Sequence, residues 1–340
     1  MTASAVRDPS VPDFTGLVGL DRIRAAAETL RGITIRTPLV PFGPPAARHY
    51  LKAESLQPIG AFKLRGAYVA VASLSPAERS RGVITYSSGN HAQGVARAAR
   101  LLGVPAVVVM PSDAPVLKAQ RVAADGAELV VVGTASEERR VVAERIAAER
   151  GLIVIPPYDD DRIIAGQGTC GLEIVEDLPD LAAVLVPIGG GGLISGTAAA
   201  IRAIRPAVRI IGVEPELAAD ARDSLLAGRV VAWPAELVSR TISDGTRTQS
   251  VGSRTFAHIA ALVDRIVTVS EDEIAAAVRL AAEESRLVAE PSGALSIAAL
   301  RFRAAEAGLG GTPGPVVAIV SGGNVDPDRY RAYLEAPIPA

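Results

Sequence analysis

The chain has 340 residues, 49% of them hydrophobic, and a formal net charge of -2 with both signs interspersed. That length gives room for two domains with separate cores, and the absence of a basic stripe excludes a nucleic-acid or anionic-membrane surface, so a small-molecule partner is expected. A single cysteine, Cys170, excludes a disulfide framework and multi-cysteine zinc or iron-sulfur sites; with no signal-peptide-like apolar run at the start, a reducing, cytoplasmic location is expected.

The first informative segment is Ser55-Leu-Gln-Pro-Ile-Gly-Ala-Phe-Lys-Leu-Arg-Gly-Ala67. Only three of the 35 Lys and Arg residues are lysine, so a lysine kept at position 63, beside Phe62 and Ala61, calls for something a guanidinium cannot supply. A primary amine that forms a Schiff base is one such property. The alternative is a surface lysine that happens to remain, since Lys52 and Lys118 show that lysine is not wholly excluded.

From about residue 80, short β-branched runs at 82–86, 106–110, 128–132 and 152–155 alternate with helical segments. The same grammar restarts after Asp180, with runs at 183–188, 209–213, 265–269 and 315–320. Short apolar strands separated by helices predict parallel sheets covered on both faces, with a site in the cleft at the strand C-terminal ends. Helices are predicted over 271–289 and 292–307, with their apolar faces in the core.

Three strand ends carry polar or glycine-rich loops. At Thr85-Tyr-Ser-Ser-Gly-Asn-His-Ala-Gln-Gly94, hydroxyls, an amide and an imidazole meet a helix start, which suits a carboxylate or an ordinary helix cap. Metal ligation by His91 is not expected, because the chain has only His49, His91 and His258, none at ligand spacing. The stretch 181–201 has 21 residues without a charge, yet Pro187 and four consecutive glycines make it a strand, turn and helix start rather than a membrane span. Gly189-Gly-Gly-Gly-Leu-Ile-Ser-Gly196 there offers converging backbone N–H groups to a phosphate, or serves close packing alone. It fits neither the P-loop nor the dinucleotide fingerprint, although Glu214, 22 residues after Gly192, keeps a nicotinamide enzyme open as a competitor. The third loop, Ser321-Gly-Gly-Asn324, follows the last strand. An amine, a phosphate cup, a carboxylate anchor and a ring partner are together what a phosphorylated aldehyde cofactor requires.

These features resemble the pyridoxal-phosphate enzymes of the tryptophan-synthase-β-like fold, specifically the threonine/serine dehydratase and serine racemase family. The resemblance spans roughly residues 20 to 325 and rests on Gly60-Ala-Phe-Lys-Leu-Arg-Gly66, Ser87-Ser-Gly-Asn-His91, Ala165-Gly-Gln-Gly-Thr169, Gly189 to Gly192, Glu290-Pro-Ser-Gly-Ala294 and Ser321-Gly-Gly-Asn324. It implies the two-domain α/β fold (fold type II) with three-layer α/β/α parallel sheets in both domains. The implied division is a large cofactor domain from 1–73 and 157–340 and a small α/β domain from 74–156.

Residue by residue, the resemblance implies Lys63 as the Schiff-base lysine and Cα base, with Phe62 packing on a cofactor face. The backbone N–H groups of Gly189, Gly190, Gly191, Gly192 and Leu193 would take the phosphate, Asn90 the phenolic oxygen and Ser321 the pyridine nitrogen. Ser87, Ser88, Asn90 and His91 would bind the substrate, and Ser88 resembles the opposite-face acid/base of the racemase branch. Glu214, Ala218 and Asp220 match a divalent-cation site suited to Mg²⁺ or Ca²⁺, the alternative being surface acids.

The activity implied is elimination of water from a β-hydroxy amino acid, L-threonine or L-serine first, to a 2-oxo acid and ammonia. Serine or aspartate racemisation and 3-hydroxyaspartate dehydration are the alternatives. Arg247, in Thr241-Ile-Ser-Asp-Gly-Thr-Arg-Thr-Gln249, would receive a second carboxylate or pair with Asp244. A homodimer is expected, and a sequence ending near residue 340 leaves no room for a C-terminal regulatory domain.

Overall fold

Short runs of β-branched residues become strands where both of their faces are covered. The computed structural model describes residues 16–87, 89–112, 114, 116–133 and 136–339. Their strands are β1 (Leu39–Phe42), β2 (His49–Lys52), β3 (Val83–Tyr86), β4 (Ala106–Pro111), β5 (Glu128–Val132), β6 (Ile153–Val154), β7 (Ala183–Pro187), β8 (Arg209–Pro215), β9 (Arg265–Val269) and β10 (Val316–Ile319). They form a four-stranded sheet in the order β5-β4-β3-β6 and a six-stranded sheet in the order β1-β2-β10-β7-β8-β9. The fold is α/β with parallel sheets, and every residue of the central strands β7 and β10 is buried.

The departure from the all-parallel expectation is β1, which pairs antiparallel with β2 and places Pro41 opposite Tyr50. Prolines at 38, 41, 44 and 45 make this region read as loop. β1 is an edge strand, where a missing N–H does not interrupt a ladder on both sides. The expected helix over 271–289 is also shorter. Helix Glu271–Ser285 stops where Arg286 turns left-handed at φ 59°, and Pro291 leaves Glu290 extended at φ -80°, ψ 159°. That break puts the Glu290 carboxyl at the site instead of on a helix flank.

The motif Ala165-Gly-Gln-Gly-Thr169 serves packing. It lies in helix Asp161–Asp177, which packs against helices Lys63–Ala72 and Gly192–Ile204. A Cβ at Gly166 would stand 2.6 Å from the Gly66 Cα, and one at Gly196 would stand 2.2 Å from the Ile164 oxygen. Both helices that open toward the site are thereby seated on one central helix at distances only glycine permits. Among the described residues no helix is long and apolar enough to cross a membrane, and 181–201 is β7, the glycine loop and a helix start.

Candidate active site

The ends of β3, β7 and β10 point at one cavity of about 390 Å³, a size that suits a cofactor and a small substrate. Phe62, Lys63, Ser87, Asn90, His91, Gly189, Gly190, Gly191, Gly192, Leu193 and Ser321 all line it. Residues chosen from three separate loops and one helix start are thus brought together. Ser88 lies outside the described residues.

Lys63 opens helix Lys63–Ala72, and its Nζ donates to the Pro157 carbonyl at 2.8 Å while lying 5.2 Å from the Phe62 ring centre. Burial lowers its pKa to about 8. The other two lysines are buried ion pairs: Lys52 with Glu173 at 2.6 Å and Lys118 with Asp244 at 2.7 Å. All three lysines have therefore left the surface. Lys52 also donates to the Thr37 carbonyl at 2.7 Å, so what sets Lys63 apart among the described residues is that its amine is hydrogen-bonded to a carbonyl without a carboxylate beside it.

The glycine loop caps helix Gly192–Ile204, with Gly191 at φ 90°. A Cβ at Gly190 would lie 2.0 Å from the Tyr158 ring, so a side chain there would fill the cradle. First-turn N–H groups have no intrahelical acceptor, and together with the helix dipole they suit a group with negative charge. An amine of lowered pKa and a glycine cradle at a helix N-terminus in one cavity fit pyridoxal phosphate.

At the second helix start, Ser87 Oγ accepts from the Gly89 N–H at 3.3 Å. His91 Nε2 lies 3.1 Å from the Ile155 carbonyl, which makes it the protonated ring nitrogen; Nδ1 is buried without a partner. Burial, with the neighbouring Lys63 charge, pushes the His91 pKa down to about 3, so the ring is neutral at physiological pH. His91 thus offers a carboxylate its backbone N–H and not an imidazolium. Ser321 Oγ, also in the cavity wall, donates to the Ser292 carbonyl at 3.4 Å.

Glu214, Ala218 and Asp220 lie apart from this cavity lining, at the end of β8 and the start of helix Asp220–Ala227. Glu214 is fully buried and accepts the N–H groups of Ala221 at 2.9 Å and Arg222 at 2.8 Å. It is buried at the end of β8 away from the cavity lining, and a ribose-binding role for it, which the nicotinamide reading requires, does not fit. Both Asp220 carboxylate oxygens are buried without a hydrogen-bond partner. Burial pushes Asp220 up to about 7 and holds Glu214 well above the ordinary range, the Asp220 charge adding to it. Among the described residues no cluster of three or more His, Cys, Asp or Glu side chains surrounds a metal position, so a cation here would need main-chain oxygens as well.

Lys118, Arg139, Arg140, Tyr158, Asp244, Arg247 and Glu290 also line the cavity, unassigned by sequence reasoning except for Arg247. Arg247 does not pair with Asp244; its Nε donates to the Thr241 carbonyl at 2.9 Å, and Asp244 accepts from Lys118. Glu290 opens the segment Glu290-Pro-Ser-Gly-Ala294, which carries a readable signal for it in the sequence. The rarity of lysine would have flagged Lys118, whereas Arg139 and Arg140 sit in a charge run that reads as a solvated helix face.

Residues 30–322 match the sequence family described as "Pyridoxal-phosphate dependent enzyme". The chain is 45% identical over 288 residues to an L-threo-3-hydroxyaspartate ammonia-lyase of Saccharomyces cerevisiae, covering 85% of this chain and 86% of that one. It is 42% identical over 316 residues to an L-threonine ammonia-lyase of Thermotoga maritima, covering 91% and 76%. The structure of maize serine racemase superposes with a TM-score of 0.87 at 36% identity, covering 93% of this chain and 96% of that one. With a Schiff-base-competent lysine, a glycine cradle and these relatives in agreement, the chain belongs to the pyridoxal-phosphate dependent enzymes of fold type II.

Proposed function

We propose that the protein is an ammonia-lyase that eliminates water from a β-hydroxy amino acid, with L-threo-3-hydroxyaspartate ahead of L-threonine and L-serine. The observation that carries the substrate choice is the charge of the cavity wall. Beyond Lys63 it presents Lys118, paired with Asp244, Arg140, paired with Glu144, and Arg247, whose guanidinium donates to the Thr241 carbonyl. A guanidinium held at a carbonyl and not at a carboxylate, in a confined space, favours a substrate with a second carboxylate over a methyl or hydrogen. The relative named for 3-hydroxyaspartate supports the same choice.

Pyridoxal phosphate, when bound, supplies the electrophilic carbon and the electron sink that acidify the substrate's Cα proton. The N–H groups of Gly189 to Leu193 would hold its phosphate, with Phe62 beside it, Asn90 placed for the phenolic oxygen and Ser321 for the ring nitrogen. Ser87 and the backbone N–H groups of Asn90 and His91 orient the α-carboxylate at the helix start. Lys63 takes the Cα proton at Nζ, and its pKa near 8 leaves a usable fraction of neutral amine at physiological pH.

A panel of L-threo-3-hydroxyaspartate, L-threonine, L-serine and L-aspartate, assayed for 2-oxo acid and for the opposite enantiomer, tests this reading. The dicarboxylic hydroxy acid should give the largest kcat/KM, and Arg247→Ala should lower that value about tenfold or more while changing threonine turnover less. Higher kcat/KM for threonine would reverse the order of substrates. Inversion without 2-oxo acid release would identify a racemase.

The cation site is part of the same proposal, with Glu214, Asp220 and the Ala218 carbonyl as oxygen ligands. Because both carboxyl pKa values are raised in the fold, the metal-free protein should lose stability as pH rises from about 4 through 7, where the carboxyls must ionise while buried. Saturating Mg²⁺ or Ca²⁺ at pH 8 should raise Tm by roughly 5 °C, an effect of about 2.7 kcal/mol at a hundredfold excess over Kd, and Asp220→Asn should remove it. A shift of the same size in Asp220→Asn would place the cation elsewhere.

A further inference from the structure

Asn90 is held at both ends of its amide. Its Nδ2 donates to Glu290 Oε1 at 2.5 Å, and its Oδ1 accepts from Asn324 Nδ2 at 2.8 Å. The sense of this pairing can be traced to groups that have no choice of role. The Ile59 carbonyl only accepts, and it takes an N–H from Asn324 Nδ2 at 2.8 Å. The Arg121 guanidinium only donates, and it donates to Asn324 Oδ1. Asn324 must therefore show its nitrogen to Asn90, which turns the Asn90 oxygen away from Glu290 and its nitrogen toward it. One N–H of Asn90 is then used by Glu290 and the second is left for the cavity that Asn90 lines.

We infer that Glu290 is a positioning residue: Asn324 sets the sense of the Asn90 amide, and Glu290, by accepting one N–H, holds it there so that the other N–H, and not the carbonyl oxygen, faces the phenolic oxygen of the cofactor. A flipped amide would set an oxygen against an oxygen, which costs the hydrogen bond and adds repulsion. The inference rests on the reading above that Asn90 meets the phenolic oxygen, and it is independent of which amino acid is the substrate.

The surroundings of Glu290 say what it contributes. Its side chain is buried, its backbone N–H donates to the Gly322 carbonyl at 3.0 Å, and Lys118 Nζ stands 3.9 Å from Oε2, which has no hydrogen-bond partner. Lys118 is itself neutralised by Asp244 at 2.7 Å, and Arg121 is the other cation acting on Glu290. Burial pushes Glu290 up to about 7 while Lys118 pulls it down, so both protonation states are accessible near neutral pH. Either state leaves Oε1 as an acceptor for Asn90. Reach, not charge, is the property the position requires.

Two conservative variants separate reach from charge. Glu290→Gln keeps the acceptor oxygen at the same distance and loses the charge; Glu290→Asp keeps the charge and withdraws it from Asn90 by one methylene. Each is loaded with pyridoxal phosphate without substrate, beside Asn90→Ala, and the visible absorption of the bound cofactor is recorded. The ratio of its long- to its short-wavelength band should fall about tenfold in Asn90→Ala and in Glu290→Asp, the size of one lost hydrogen bond to a charged oxygen. Glu290→Gln should keep the wild-type ratio. A wild-type spectrum for Glu290→Asp alongside a changed Asn90→Ala overturns the inference while leaving the Asn90 reading in place. An unchanged Asn90→Ala removes the Asn90 reading and the inference with it. A changed Glu290→Gln with an intact Glu290→Asp makes charge the operative property, and loss of fold in both makes Glu290 structural; either result overturns the inference.

Discussion

Replacing Lys63 with alanine is expected to abolish turnover, with kcat down by at least about 10⁴, and to turn a covalently held cofactor into a dialysable one. The geometry gives the reason. Lys63 Nζ is held by a single carbonyl and an aromatic face, and burial leaves its pKa near 8, so it loses its proton far more readily than a solvated lysine. Lys63→Arg should be equally inactive despite keeping a cation over Phe62, because a guanidinium does not deprotonate or form the imine. Reduction of wild-type holoenzyme with borohydride, followed by peptide mass analysis, should place the cofactor on Lys63. A Lys63→Ala enzyme within about tenfold of wild type, or reduction fixing the cofactor on Lys118, would defeat the assignment.

The rarity of lysine was a real signal, but it reported burial and not imine chemistry. Lys52 and Lys118 are as rare as Lys63, and each fills a buried ion pair where a compact ammonium fits. What separates Lys63 is that its amine meets the Pro157 carbonyl and no carboxylate among the described residues, and that depends on where the 157 loop packs. Strands β3 to β10 were legible because a β-branched run carries its own information. β1 was not, because prolines hide an edge strand supported on one side, and β2 was not, because His49–Lys52 contains no β-branched residue. The same division runs through the site. Ser87, Asn90, His91, Gly189 to Leu193 and Ser321 sit in strand-end loops that sequence marks as unusual. Lys118, Asp244, Glu290, Arg139 and Arg140 come from helix faces and connections that reach the cavity only once the two sheets are packed together.

Arg65→Met should destabilise the protein by about 3–5 kcal/mol, the cost of leaving buried charge without its partner. Arg65, two residues after Lys63 on the same helix, is fully buried. It donates to Glu54 through Nε and Nη2, both at 2.8 Å, and to Glu173 at 2.7 Å and 2.9 Å. Lys52 completes the group through Glu173, and Thr37 Oγ1 donates to Glu54 at 2.6 Å. Two cations thus balance two carboxylates beneath the helix that carries Lys63. Burial alone would raise the Glu54 carboxyl, but the Arg65 guanidinium outweighs it and holds the group below its ordinary value of 4.5. This contribution is therefore present above that pH and is lost as pH falls through the lower folded value. In a urea titration of both variants, Arg303→Met, at a partly exposed cluster with Glu216, Glu273 and Glu306, should cost no more than about 1 kcal/mol. The double variant Arg65→Met with Glu54→Leu leaves Lys52 and Glu173 as a neutral pair, and should recover part of what the single variant loses. Equal losses at Arg65 and Arg303, or a double variant weaker than the sum of its singles, would show that charge balance beneath the Lys63 helix is not what stabilises it.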